Sequence, residues 1–302
     1  MIGLKPGTVK LYTHEKEWEM EAQAAISHLK SILGSVIKDI QHVGSTSISS
    51  IKAKPIIDIA VAVDHFEDVL ALEKELKDEG FYYRSNAEPK NQLLFACGSF
   101  YDGSGDLQTH FIHVVPTGSM DFINYVNFRD YLNKTPSAAR EYEDLKVSLA
   151  AAAPMDSGRE KYLKGKHSFI VYTLRKALVG SYLGKTVTIK IDRPAGSTHP
   201  NYPDLTYPIN YGYIPNVFSG DGEELDVYLL GVDHPVTEYT AWIAAVVHRL
   251  NDVEDKLVAV PEGMIFTRKE IAEAVSFQEQ FYQSEIEMAV PSDIKRYQNR
   301  LQ

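Results

Sequence analysis

The first strongly patterned stretch is 15–33, where Trp18, Ala22, Ala25, Ile26, Leu29 and Leu33 recur at the three-to-four spacing of one helical face. Gly34 follows as a C-cap. The pattern then predicts a strand over 36–43 and a loop at Gly44-Ser45-Thr46-Ser47. Residues 55–63 form an almost continuous apolar run with a single charge, Asp58, inside it, as in a strand buried on both faces. A helix over 66–78 ending at Gly80 and strands over 81–84, 93–96 and 111–115 come next. Helices are predicted over 122–132, 138–152 and 159–178, with Pro136 and Pro154 as breaks. Strands early and helices late make an α+β pattern.

The texture changes near Val179-Gly180-Ser181. From Lys185 onward apolar Val187, Ile189 and Ile191 alternate with Thr188 and Lys190, and short strands separated by Pro and Gly continue to Pro261. A helix over 267–285 closes the pattern, with Thr267 as N-cap and Glu270 completing a capping box. Two domains, 1–180 and 181–302, are expected, without internal repeats or low-complexity tracts.

Composition supports that division. A chain of 302 residues with 44% hydrophobic and 24% charged residues can bury a core in each half. The net charge of −10 disfavours a nucleic-acid partner, while leaving open phosphate binding through a divalent cation. The single cysteine, Cys97, excludes an intramolecular disulfide and fits a reducing cytosol; its apolar neighbours point to a buried strand thiol. The first residues lack the apolar run of a signal peptide. The most apolar stretches fall short of the ~20 residues that span a bilayer. A cytoplasmic protein with no membrane partner is expected.

Two stretches carry candidate chemistry. Gly44-Ser45 after a strand leaves backbone N–H groups free to face an anion, and Asp58 follows in a buried strand, where a lone carboxylate must be paired, protonated or metal-bound. His42-Val-Gly-Ser-Thr-Ser-Ile and Ala53-Lys-Pro-Ile-Ile-Asp-Ile closely resemble the signature of the GrpB-like family, and the likeness continues to Phe169-Ile170. The resemblance implies a nucleotidyltransferase-like fold and a nucleotide- or phosphate-binding pocket made by His42, Gly44, Ser45, Lys54, Asp58 and His113. One departure is visible. Active nucleotidyltransferases usually carry a second carboxylate two residues after the first, and that position is Ala60. Asp58 therefore reads either as a catalytic metal ligand or as a structural group.

In the second stretch, Tyr207-Pro-Ile-Asn-Tyr-Gly-Tyr-Ile-Pro precedes Asp221-Gly-Glu-Glu-Leu-Asp226, and Asn251-Asp-Val-Glu-Asp-Lys256 follows before an apolar strand. Carboxylates at 221, 223 and 226 repel one another unless cations lie between them, and oxygen-rich clusters suit Mg²⁺; a merely solvated acidic turn is the alternative. Together these segments closely resemble family I soluble inorganic pyrophosphatases over about 183–285. The resemblance implies a mainly β, OB-like barrel with a C-terminal helix. It also implies hydrolysis of pyrophosphate or a related anhydride with Mg²⁺, or Mn²⁺ in its place. Asp221, Glu223, Asp226, Asp252 and Glu254 would be metal ligands, and Asp226, Lys256, Tyr211 and Arg193 the catalytic and phosphate-binding residues, with Asp192 beside them. Such enzymes often form homo-oligomers. Here Glu223 stands for an Asp, the acidic loop is short, and Tyr282-Gln283 lacks the cation of the family's late Tyr-Lys pair. Those losses, with Ala60, leave a catalytically degenerate nucleotide- or metal-binding regulator as the other expectation.

Overall fold

A computed structural model describes residues 1–86, 91–152, 158–199, 202–219 and 223–290. The chain divides into two compact units, Met1–Leu174 and Arg175–Gln302.

The first unit begins with α1 (Lys16–Leu33), β1 (Ile37–Val43) and β2 (Ile57–Val63), followed by α2 (Phe66–Leu70), α3 (Glu73–Asp78), β3 (Tyr82–Tyr83) and β4 (Leu93–Cys97). It continues with α4 (Ser99–Asp102), β5 (His110–Pro116), α5 (Met120–Lys134), α6 (Pro136–Ala151), α7 (Gly158–Gly165) and α8 (His167–Gly180), whose last turns belong to the second unit. The sheet runs β1-β2-β5-β4-β3, with β2 and β5 parallel and the other neighbours antiparallel. Strand alternation gives β2 two different faces. Ile57, Ile59, Val61 and Val63 pack against Trp18, Ala22, Ile26 and Leu29 of α1, while Asp58, Ala60 and Ala62 turn to the other side. Cys97, expected as a buried strand thiol, ends β4 half-buried, and burial pushes its thiol up to about 12.

Local differences from the sequence pattern have local causes. The helix expected over 66–78 is broken at Ala71-Leu72, so that Val69 and Leu76 both reach the core. The helix expected over 159–178 divides between Gly165 and His167, where an added Cβ on Gly165 would meet the Leu149 side chain at 2.4 Å.

The second unit contains β6 (Thr186–Arg193), β7 (Thr198–His199), β8 (Tyr202–Thr206), β9 (Asn210–Phe218), β10 (Glu224–Leu229), β11 (Glu238–Arg249), β12 (Lys256–Val260), α9 (Arg268–Glu279) and β13 (Ser284–Met288). Strands β12-β10-β9-β6-β11 follow one another, and β11 pairs again with β12, closing a five-stranded barrel; β13 adds to β11. Leu225, Val227 and Leu229 point into the barrel with Ile189, Ile243 and Leu257. Tyr228, Leu230, Val258 and Val260 point outward and are covered by Ile271 and Val275 of α9. The glycine of the Tyr-Gly-Tyr sequence is required by this closure: a Cβ on Gly212 would lie 1.9 Å from the Lys190 carbonyl oxygen of β6. The capping box of α9 forms as expected between Thr267 and Glu270. The helix stops at Glu279 rather than near 285, because the following residues are drawn into pairing with β11.

Candidate functional sites

In the first unit a cavity of about 780 Å³ lies over the Asp58 face of the sheet. Gly44, Ser45, Lys54, Asp58 and His113 all line it. Gly44 has φ 70 and ψ −171, a region that is essentially glycine's alone, and a Cβ there would meet Asp58 Oδ2 at 2.4 Å. The turn therefore lies directly on the carboxylate. His113 Nε2 is 3.4 Å from Asp58 Oδ1, and its Nδ1 is 3.2 Å from the Tyr125 hydroxyl, which also donates to Gln92 Oε1 at 3.2 Å. His113 stands opposite Ala60 in the sheet register, so an imidazole borders the position where a second carboxylate was missed.

His42 is not brought into this cavity. It pairs with Ile59, on the α1 side of the sheet, and its Nε2 contacts Thr46 Oγ1 at 3.0 Å. Burial lowers its pKa to about 4, leaving a neutral imidazole that braces the Gly44 turn. His110 alternates to the same side and is likewise pushed down to about 4 by burial. Arg129 bonds Asp130, Gln41 Oε1 and the His42 carbonyl, fastening α5 to β1.

The sequence reading missed the helical wall of the cavity. Asp121, Asn124, Tyr125 and Phe128 come from α5, Tyr142 and Tyr162 from α6 and α7, and Lys166 from the turn between α7 and α8. Tyr142 lies 3.5 Å from Ser45 Oγ, and burial pushes its hydroxyl up to about 12. Lys54 and Lys166 both lie over the Tyr162 ring, at 5.3 and 4.8 Å. The weak amphipathic pattern of α5, whose aromatic residues are spread around the helix, hid its contribution.

In the second unit Asp226 and Lys256 share the outward parity of Tyr228 and Val258. Lys256 is buried to 2% exposure and its ammonium donates to both Asp226 Oδ2 and Glu254 Oε2. The Tyr211 hydroxyl bonds Asp226, and burial, reinforced by that carboxylate, raises its pKa well above the usual value, so it stays a proton donor. Burial raises the pKa of Asp192, with the Asp226 charge adding to the effect; Arg193, bonded to it at 2.8 Å, opposes the rise.

Asp252 turns elsewhere, accepting from Arg249 at 3.0 Å. Arg249 is 1% exposed, grips Glu279, and lies 3.6 Å from the centroid of the Tyr282 ring. A guanidinium from another strand thus stands on the tyrosine whose neighbouring cation the sequence had lost to Gln283. The available signal was a charged residue ending the apolar run 241–247, which a buried strand tolerates only with partners. Asp255, between Glu254 and Lys256, points the opposite way to Arg175 and His248 and holds structure.

Asp221 lies outside the described residues, and Glu223 precedes β10. Among the described residues no group of three acidic, histidine or cysteine side chains gathers to hold a metal ion. The expected five-acid set is thus not assembled by the described residues alone. Three of its acids are compensated by protein cations: Asp226 and Glu254 by Lys256, Asp252 by Arg249.

Comparison with known proteins agrees with both halves. Residues 8–176 match the family model for GrpB protein, and residues 183–287 match that for inorganic pyrophosphatase. Glutamate-rich protein GrpB of Alkalihalophilus pseudofirmus is 39% identical over 171 residues, covering 56% of this chain and 96% of that protein. The inorganic pyrophosphatase of Rickettsia conorii is 27% identical over 140 residues, 45% of this chain and 65% of the enzyme, so just under two thirds of its length is represented. The crystal structure of conserved protein GrpB from Enterococcus faecalis superposes with TM-score 0.51 at 29% identity, over 57% of this chain and 99% of that one. No described helix is long and apolar enough to cross a membrane.

Proposed function

Because the chain belongs to the GrpB family through residues 8–176 and carries an inorganic pyrophosphatase domain at 183–287, we propose that its second domain hydrolyses pyrophosphate or a related phosphate anhydride, while its first binds a nucleotide. The observation that carries the hydrolase reading is the convergence of Asp226, Glu254, Lys256 and Tyr211 on the outer wall of the barrel, with Asp192 close enough to feel the Asp226 charge. Lys256 and Arg193 offer cations to phosphate oxygens, and Tyr211 offers a hydroxyl that burial keeps protonated. Among the described acids, Asp226 and Glu254 face a common point and suit Mg²⁺ by their oxygen chemistry. When bound, the metal would neutralise phosphate charge and acidify a water. Phosphate engaging Lys256 would release those carboxylates.

The roles proposed for Asp221 and Glu223 are further oxygen donors on the turn before β10; Asp252 serves instead to orient Arg249. If the first domain transfers nucleotidyl groups, the pyrophosphate released is the substrate of the second, and its hydrolysis would draw the transfer forward. That link rests on the fusion of the two domains.

Phosphate release from pyrophosphate in the presence of Mg²⁺, measured beside Lys256→Met, tests the proposal. A fall in kcat/KM of about ten- to a hundredfold is expected for loss of one charge-assisted contact. A second reading, binding without turnover, is favoured by the occupation of Asp226 and Glu254 by Lys256. It predicts pyrophosphate binding by calorimetry with no phosphate release.

A further inference from the structure

The cavity of the first unit combines an incomplete acidic centre with two lysines, the expected Lys54 together with Lys166. Ala60 offers no ligand beside Asp58. The other lining carboxylate, Asp121, accepts from Asn91. Lys54 and Lys166 line the same cavity and stand over one ring, that of Tyr162. Their charges are close enough to Lys146 that both help depress it, after burial, to about 7. Lys166 also feels Asp58, although burial lowers its own pKa. The two ammoniums are thus held part-buried near the carboxylate and the Gly44-Ser45 turn, where water solvates them poorly. They carry together the same charge as one divalent cation. Lysine, a compact point charge, is suited to phosphate oxygens.

We propose that Lys54 and Lys166 bind the phosphate chain of a nucleoside triphosphate directly, supplying the charge that a second metal ion would otherwise bring to a site with Ala60. This inference rests on the nucleotide reading of the cavity and specifies how that nucleotide is held. The aromatic wall of Phe111, Tyr125 and Phe128 is left for the base or sugar. Because the phosphate chain meets fixed ammoniums, binding does not depend on magnesium, and Asp58 opposes rather than assists it in the metal-free state.

The test is calorimetric titration of the full chain with ATP in excess EDTA and again in Mg²⁺, with tripolyphosphate as a second probe. The expected result is binding of ATP in EDTA, weakened about ten- to a hundredfold by Lys166→Met. Asp58→Asn, which removes a negative charge while keeping the shape that packs on Gly44, leaves that binding equal or tighter. Equal binding of tripolyphosphate would show that the phosphate chain alone supplies the affinity; weaker binding would show that the nucleoside contributes, and both keep the lysines in the proposed role. Binding that appears only with Mg²⁺ and is lost in Asp58→Asn overturns the inference while sparing the nucleotide reading. ATP binding in EDTA unaffected by Lys166→Met also overturns it. No ATP binding under either condition overturns the nucleotide reading and the inference with it.

Discussion

At the scale of single residues, each site depends on a contact that admits little substitution. Gly44 meets Asp58 so closely that an added Cβ would fall 2.4 Å from the carboxylate oxygen, and its backbone conformation is itself closed to other residues. Gly44→Ala should destabilise the first domain by on the order of 1–3 kcal/mol, read as a lower midpoint in chemical denaturation, and should displace Asp58 from His113. An unchanged midpoint would mean that the turn relaxes and does not press on the carboxylate. In the second domain the comparable contact is Lys256 between Asp226 and Glu254. Removing the lysine strips two carboxylates of their shared buried cation, so Lys256→Met should lower the denaturation midpoint of the second domain as well as its activity.

At the scale of elements, β13 is fastened to β11 by a titratable clamp. His248 lies between Asp255 at 3.2 Å and Glu287 of β13 at 2.8 Å. Burial disfavours its charged form, but the two hydrogen-bonded carboxylates more than offset this, and the pKa is raised above 6.5. A raised histidine contributes stability that is complete below about 6.5 and fades as pH rises through the folded value. Glu287, lowered chiefly by its bond to His248, contributes stability that is lost on acidification. Arg175 and Lys176 are the neighbouring cations. The second domain should therefore lose stability as pH rises above neutrality, and His248→Gln should remove that dependence in pH-resolved denaturation. A wild-type profile with the same slope as the variant would contradict the clamp.

The same scale shows what was legible in the sequence. Strong periodicity located α1, β2 and α9, because each buries one apolar stripe or run. The helix expected to end at 285 overran the start of β13, because that strand's pairing with β11 is a tertiary effect that the local residues do not signal. The Gly44, Ser45, Lys54, Asp58 and His113 set was legible through the resemblance to the GrpB-like family; strand alternation accounts for Asp58 and His113 alone facing one side. The same alternation removes His42, a distinction visible only once the β1 register is known. Arg249 meets Tyr282 from a distant segment, and nothing near it in sequence announces that tyrosine, whereas Lys166 meets Tyr162 of the turn just before it.

At the scale of the whole chain, two separately cored domains share one chemical theme. In each, a carboxylate of the candidate site and a lysine act on one another: Lys166 feels the charge of Asp58, and Lys256 contacts Asp226. On the proposed reading phosphate is the ligand class of both, since it would engage the lysine and leave the carboxylate for a cation or a proton. The central claim is that the second domain performs this chemistry on an anhydride. Its most direct test is phosphate release from pyrophosphate by the purified chain in Mg²⁺, compared with Asp226→Asn. The account predicts metal-dependent release that falls by at least about a hundredfold in the variant, as expected when a group central to the reaction is removed. Absence of release from the wild-type chain, or release unchanged by Asp226→Asn, would contradict it.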